Sequence, residues 1–200
     1  MRKFILKSSR KLFGWPPAAA TFDAKAGLIQ RYRSRFGLNV FVETGTFKAE
    51  MIEAQHGHFQ KLISVELSRE LYEAARNKFA GDARVQFFQG DSGVTLGEAV
   101  KGLAEPALFW LDAHYSMGVT AGHTMDAPII RELSWVAARR QPKDVILIDD
   151  ARLFGWDSGY PRLKVIRKYA AEHWPDHSCI VETDVICISP RNGGNPAANS

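Results

Sequence analysis

The chain has 200 residues, of which 46% are hydrophobic and 24% are charged, and its formal net charge is +4. This length allows one α/β domain with a sizeable core but hardly two, and no apolar run reaches the roughly 18 residues of a membrane-spanning helix. Lys7, Arg10 and Lys11 interrupt the apolar start, which argues against a signal peptide. The composition therefore predicts a soluble, cytoplasmic protein.

The basic charge is concentrated at the N-terminus. Residues 1–35 contain nine Lys or Arg and a single acidic residue, Asp23. A solvated N-terminal face is the simplest interpretation, and a weak peripheral contact with a membrane surface or an acidic partner stays open. The isoelectric point alone does not indicate nucleic-acid binding, so we expect no nucleic-acid partner.

Helix and strand patterns alternate along the rest of the chain. Periodicity and capping residues predict helices over 22–36, 68–79, 93–101, 126–139 and 161–172. A further helix is predicted after Gly45, ending at about residue 55. β-branched and aromatic runs predict strands over 39–44, 61–66, 84–89, 107–112, 144–150, 179–182 and 185–188. The last two strands are predicted to form an antiparallel hairpin in which Cys179 lies opposite Ile188. Cys179 and Cys187 are therefore expected to be free thiols.

Repeated βα units require right-handed crossovers, which produce a largely parallel sheet with helices on both faces. The predicted fold is α/β, a doubly wound, mostly parallel seven-stranded sheet with a C-terminal antiparallel hairpin. We divide the chain into a basic lead-in and helix over 1–37, a domain over 38–190 and a disordered tail over 191–200, which is rich in Gly, Asn, Pro and Ala.

Polar residues mark the carboxyl ends of the first five predicted strands. Ligands of open α/β sheets bind at this edge, near the point where the strand order reverses. A single acid at a strand end often has only a structural role, but five in register indicate a rim that binds hydroxyls, amines and cations. The residues at the five ends are Glu43, Thr44 and Gly45, then Glu66, then Asp91, then Asp112 with His114, and then Asp149 with Asp150.

This order of residues resembles class I S-adenosylmethionine-dependent methyltransferases over about residues 38–190. The resemblance rests on the segment Glu43-Thr44-Gly45-Thr46 after the first strand, on Glu66 and Asp91 after the next two, and on Asp112 at the fourth. It implies a Rossmann-like methyltransferase fold, a catalytic domain over 38–190 and S-adenosylmethionine bound along these strand ends.

The chemistry of these residues suits binding of that cofactor. Gly45 would let the backbone approach the methionine part, where a side chain would collide. Glu66, about 20 residues further on, would accept hydrogen bonds from the ribose hydroxyls. Asp91 and Ser92 would lie near the adenine amino group.

A metal site is predicted beside the cofactor. Asp112, Asp149 and Asp150 end adjacent strands, and converging carboxylates repel one another unless a cation or shared protons compensate them. Oxygen ligands favour Mg²⁺ or another hard divalent cation. The three positions resemble the metal site of sugar O-methyltransferases, where the ion holds two neighbouring acceptor hydroxyls. His114 and Asp112 are the catalytic candidates, with His114 as the base. An ordinary loop histidine and a helix-capping Asp149-Asp150 pair are the alternatives.

The predicted function is S-adenosylmethionine-dependent O-methylation of a hydroxylated small molecule such as a sugar, assisted by a divalent metal. A metal-dependent hydrolase or hydroxylase on the same fold, and a non-catalytic interaction module that works through the basic N-terminus, are the alternatives. The identity of the acceptor and the oligomeric state are not predicted, because loops decide specificity in such folds.

Overall fold

Seven strands and six α-helices alternate along the part of the chain that the computed structural model describes, residues 18–112, 128–156 and 159–191. The strands are β1 (Val40–Thr44), β2 (Lys61–Glu66), β3 (Val85–Gln89), β4 (Ala107–Leu111), β5 (Val145–Ile148), β6 (His177–Glu182) and β7 (Val185–Pro190). The helices are α1 (Phe22–Phe36), α2 (Glu50–Gln55), α3 (Arg69–Lys78), α4 (Ser92–Ala99), α5 (Pro128–Ala138) and α6 (Leu163–His173).

The seven strands form one sheet in the order β3-β2-β1-β4-β5-β7-β6. The first five are parallel, and β7 pairs antiparallel with both β5 and β6. The prediction of a mostly parallel, doubly wound seven-stranded sheet with a C-terminal hairpin is therefore confirmed. The hairpin register is also as predicted, because Cys179 lies opposite Ile188 and both cysteines are free.

The helices begin and end at residues suited to those positions. The Thr21 hydroxyl accepts from the Ala24 backbone N–H at the start of α1, and Gly37 ends that helix with a φ of 64°. Ser68 caps α3 through a hydrogen bond from the Leu71 N–H. Among the described residues, no helix combines the length and the apolar character that crossing a bilayer requires.

Alternate side chains of the central strands pack against the two helical layers. In β4, Phe109 and Leu111 join the core that includes α5 and α6, whereas Leu108 and Trp110 join the core that includes α1 and α2. All five residues of β4 are buried, as expected for a parallel strand covered on both faces. Asp112, which directly follows the strand, thus lies at the edge of a part of the sheet that is covered on both faces.

A buried ion pair lies at the opposite edge, before β5. Arg139 Nε lies 2.9 Å from Asp144 Oδ2, and the two side chains are 6% and 0% exposed. The same guanidinium donates to the carbonyls of Leu103 and Glu105, and Asp144 accepts from the Ala107 N–H. Burial raises the pKa of Asp144 even though Arg139 opposes that effect. The pair ties α5 to the starts of β4 and β5.

Candidate active site

A cavity of about 500 Å³ opens at the carboxyl ends of the parallel strands. It lies where the strand order reverses between β1 and β4, the position at which open α/β sheets bind ligands. Its volume is within the range of small-molecule sites. The lining residues are Gly45, Phe47, Val65, Glu66, Leu67, Leu71, Gly90, Asp91, Ser92, Asp112 and Pro128.

The turn after β1 brings the backbone close to Asp112. Gly45 has a φ of +80°, and a Cβ atom added there would lie 3.3 Å from the Asp112 Cβ. Its N–H donates to the Val65 carbonyl at 2.9 Å, so the turn is fixed against β2. Phe47 and Ala49 further along the loop also have positive φ values, 49° and 58°. Three residues of the loop therefore have the positive φ values that glycine adopts most easily, although only one of them is a glycine.

Glu66 ends β2 with its carboxylate held on both sides. Oε2 accepts from the Phe47 N–H and Oε1 from the Ser68 N–H, each at 2.8 Å. A carboxylate has about four acceptor positions, so both oxygens can still accept from a ligand. The side chain lines the cavity in a fixed orientation that suits a pair of neighbouring hydroxyls.

Asp91 and Ser92 form the wall after β3. Asp91 Oδ1 accepts from the Gly93 N–H at 2.8 Å and caps α4. The Ser92 hydroxyl donates to Glu132, a buried acid on α5. Glu132 was not among the site residues predicted from the sequence. The available signal was an acidic residue next to Leu133, on the apolar face of a helix that must pack against the sheet.

Glu43, Thr44 and Thr46 are buried and do not line the 500 Å³ cavity. The Thr46 and Ser64 hydroxyls lie 2.6 Å apart, and Ser64 donates to Glu43 Oε2 at 2.8 Å. Burial raises the pKa of Glu43 well above its ordinary value, and the Ser64 hydrogen bond only partly opposes this. The neutral form of Glu43 is therefore favoured more than that of an exposed carboxyl group.

Asp112, Asp149 and Asp150 converge at the ends of β4 and β5. One carboxylate oxygen of each lies within 4.8 Å of the others. Asp150 has a φ of 55°, a left-handed conformation that costs a non-glycine residue about 1–2 kcal/mol. Its backbone N–H donates to Asp149 Oδ1 at 2.6 Å. We call these three side chains the carboxylate cluster.

Two cations contact the carboxylate cluster. Lys25 of α1 places its Nζ 2.7 Å from Asp149 Oδ2 and 3.3 Å from Asp150 Oδ1. Arg152 bridges Asp150, at 2.5 Å, and Asp184. Lys25 lies 124 residues before Asp149 and was not predicted as a site residue.

Burial and charge act in opposite directions within this group. Burial raises the pKa of Asp149 to about 6 although Lys25 opposes the shift, and Asp150 adds to it. Burial alone would lower the pKa of Lys25, but the hydrogen bonds and charges of Asp149 and Asp150 outweigh it and raise that pKa. Lys25 is therefore an ammonium across the physiological pH range.

A smaller cavity of about 220 Å³ lies beside the carboxylate cluster. Lys25, Glu43, Asp112 and Asp149 contribute its polar wall, and Phe22, Phe47 and Trp110 are among its apolar residues. The two cavities share Gly45, Phe47 and Asp112. They therefore meet at the turn after β1, an arrangement that can hold two ligands side by side. His114 lies outside the described residues.

Comparison with known proteins finds likeness in structure only. No protein-family model and no curated protein sequence matches the chain. A candidate caffeoyl-CoA O-methyltransferase from Staphylococcus aureus superposes with a TM-score of 0.60 over 92% of this chain and 90% of its own, at 13% identity.

Two further solved structures are similar. An O-methyltransferase from Bacillus cereus in complex with S-adenosylhomocysteine gives a TM-score of 0.59 over 86% of this chain and 84% of its own, at 16% identity. An S-adenosylhomocysteine-bound methyltransferase from Podospora anserina gives 0.54 over 84% and 78%, at 15% identity. Together with the strand order, these likenesses show that the chain has the fold of class I S-adenosylmethionine-dependent methyltransferases.

Proposed function

We propose that the protein is an S-adenosylmethionine-dependent O-methyltransferase that acts on a hydroxylated small molecule such as a sugar, assisted by a hard divalent cation. The observation that carries the proposal is the cavity at the switch point of a methyltransferase fold, with Gly45 against Asp112 on one side and the fixed Glu66 carboxylate on another. Fold alone does not define an activity, so the case depends on these side chains.

The volume and the lining residues of the larger cavity support S-adenosylmethionine as its ligand. The absence of a side chain at Gly45 leaves room beside Asp112 for the methionine part of the cofactor. The remaining acceptor positions of Glu66 suit the two ribose hydroxyls. Asp91 and Ser92 line the wall where the adenine would lie. When bound, the cofactor supplies an electrophilic methyl group.

The carboxylate cluster fits a hard divalent cation in its donor set, which consists of oxygen atoms alone. Lys25 contacts Asp149 and Asp150, and Arg152 contacts Asp150 and Asp184. Such an ion would hold neighbouring acceptor hydroxyls and make them more acidic.

The chain's own residues would then position the reaction. The smaller cavity would hold the acceptor against Phe22 and Phe47, and Asp112 would face both ligands at the junction of the cavities. Alignment of the acceptor oxygen with the methyl carbon supplies much of the rate enhancement in such transfers. One O–C bond forms as the S–C bond breaks, and the hydroxyl proton leaves to a base, for which His114 is our candidate.

Calorimetric binding of S-adenosylhomocysteine tests the proposal, with and without Mg²⁺, on the wild-type protein and on Glu66→Ala. We expect micromolar affinity in the wild type and a loss of at least about tenfold in Glu66→Ala, because one or two charge-assisted hydrogen bonds disappear. Glu98→Ala removes an exposed acid from α4 and should bind like the wild type. If the wild type does not bind under either condition, the methyltransferase proposal is wrong, and metal-dependent hydrolysis or hydroxylation becomes the function to test.

A further inference from the structure

Glu132 is a buried acid that the proposed mechanism does not use. It lies on α5 between Ile129, Ile130 and Leu133, and only 3% of it is exposed. Burial of a carboxyl group among apolar side chains is costly unless polar partners compensate it. Its partners therefore indicate why an acid is present at this position.

The first partner connects Glu132 to the wall of the larger cavity. The Ser92 hydroxyl donates to Glu132 Oε1, and Ser92 lines the cavity at the first residue of α4. A second side chain of α5, Trp135, contacts Gly93, the residue after Ser92. Its Nε1 donates to the Gly93 carbonyl at 2.9 Å. Helix α5 thus holds the start of α4 through two side-chain hydrogen bonds.

The second partner is at the end of β1. Thr44 is 1% exposed, and its hydroxyl faces Glu132 and lowers the pKa of that acid. Among the described residues, no group reaches hydrogen-bonding geometry with Thr44 Oγ1. Thr44 immediately precedes Gly45 in the cavity wall. Glu132 therefore lies between the turn after β1 and the start of α4, two segments that both line the cavity.

The charge of Glu132 also bears on the cavity. Burial, together with the charges of Asp112 and Asp91, raises the pKa of Glu132 to about 7, although the hydrogen bond from Ser92 opposes the shift. Both of these aspartates line the larger cavity. On the same helix, the Arg131 guanidinium lies beside Gly93. Because the charges of Asp112 and Asp91 act on Glu132, an ionised Glu132 acts equally on these two aspartates, and its field extends into the cavity that they line.

We propose that Glu132 is a positioning residue of the methyl-donor site, which fixes Ser92 at the cavity wall and adds negative charge behind the cavity that favours a cationic sulfonium over a neutral thioether. This inference rests on the proposed function. S-adenosylmethionine carries the sulfonium charge and S-adenosylhomocysteine does not, so the ratio of the two affinities isolates the effect of charge from the effect of shape.

Calorimetry with both ligands tests the inference on the wild type, Glu132→Gln, Ser92→Ala and the exposed control Glu98→Gln. At about pH 8.5, where Glu132 is ionised, we expect Glu132→Gln to lower the preference for S-adenosylmethionine about fivefold, from the loss of one nearby charge in a partly aqueous cavity. Ser92→Ala should weaken both ligands by a similar factor, because it removes a positioning contact and leaves the charge. Glu98→Gln should match the wild type.

A second measurement needs no variant. In the wild type the preference for S-adenosylmethionine should rise between about pH 6 and pH 8.5, as Glu132 ionises, and Glu132→Gln should remove most of that rise. A preference that is the same in the wild type and in Glu132→Gln at both pH values would overturn the inference. Binding of neither ligand by the wild type would instead refute the proposed function, so the two failures are distinguishable.

Discussion

Replacement of Lys25 by methionine is the sharpest perturbation of the carboxylate cluster. Methionine retains most of the side-chain length in α1 and removes the ammonium that lies 2.7 Å from Asp149 and 3.3 Å from Asp150. The side chains involved are 14%, 9% and 3% exposed, so water replaces the lost contact poorly. Arg152 would remain in contact with Asp150.

The size of the effect follows from burial. Removal of one partner of a fully buried ion pair costs about 3–5 kcal/mol. Lys25 lines a cavity that admits water, so we expect a lower free-energy loss of about 2 kcal/mol, or roughly 6 °C in the unfolding temperature of a chain this long. Lys25 contributes its full stabilisation at every pH below the pKa that it has in the unfolded chain. That stabilisation is therefore constant near neutral pH. At about pH 5 Asp149, with a pKa of about 6, is mostly protonated, and the loss should shrink.

Urea and thermal unfolding at about pH 7.5, with and without Mg²⁺, measure this loss. Lys168→Met is the control, because Lys168 is 79% exposed and pairs weakly with Glu172, which predicts a change within about 0.5 kcal/mol. An ion present at 100 times its dissociation constant would restore about 2.7 kcal/mol. A Lys25→Met protein as stable as Lys168→Met would refute the electrostatic argument. If Mg²⁺ stabilises neither the wild type nor Lys25→Met, the metal site is refuted.

Three further predictions concern single positions. Gly45→Ala should lose about 1–2 kcal/mol of stability, because alanine disfavours the φ of +80°. It should also weaken S-adenosylhomocysteine binding at least about tenfold. Unchanged binding in a calorimeter would contradict the close approach of the Gly45 backbone to the ligand. The pKa of Glu132 is raised from 4.5 to about 7, so the folded protein binds more protons in that window and its unfolding free energy should fall by up to about 3 kcal/mol as the pH rises through it. Glu132→Gln should reduce that fall in urea titrations, and an identical pH profile would count against the raised pKa. Arg139→Leu should cost about 3–5 kcal/mol by leaving Asp144 buried without its cation, and a loss below about 1 kcal/mol in denaturant unfolding would exclude that role.

Local patterns were sufficient to predict the sheet. A strand covered on both faces, such as β5 with four buried residues, is an unbroken apolar run in the sequence and needs no alternation. Capping residues such as Ser68 mark helix starts from their own chemistry. The carboxyl ends of parallel strands meet at one edge, so the proximity of Asp112, Asp149 and Asp150 could also be predicted.

The direction of each side chain was harder to predict. Glu43 was predicted to be a cofactor-binding residue together with Thr44. In the structure Glu43 lies on the same face of β1 as Phe41 and accepts a hydrogen bond from Ser64, whereas Thr44 points to the α5 side of the sheet. Adjacent residues of a strand point to opposite faces, so a motif of consecutive residues cannot all line one cavity. The backbone path of the loop decides which of them do.

The sequence by itself determined the order of elements, the sheet they form and the acidic edge where a ligand would bind, because each of these depends on residues close together in the chain. Only the tertiary structure brought Lys25 to Asp149 across 124 positions and Ser92 to Glu132 across 40. Burial then set the charge of these groups. The raised pKa values of Glu43, Glu132 and Asp149 arise first from desolvation, a property of packing that no local pattern in the chain encodes.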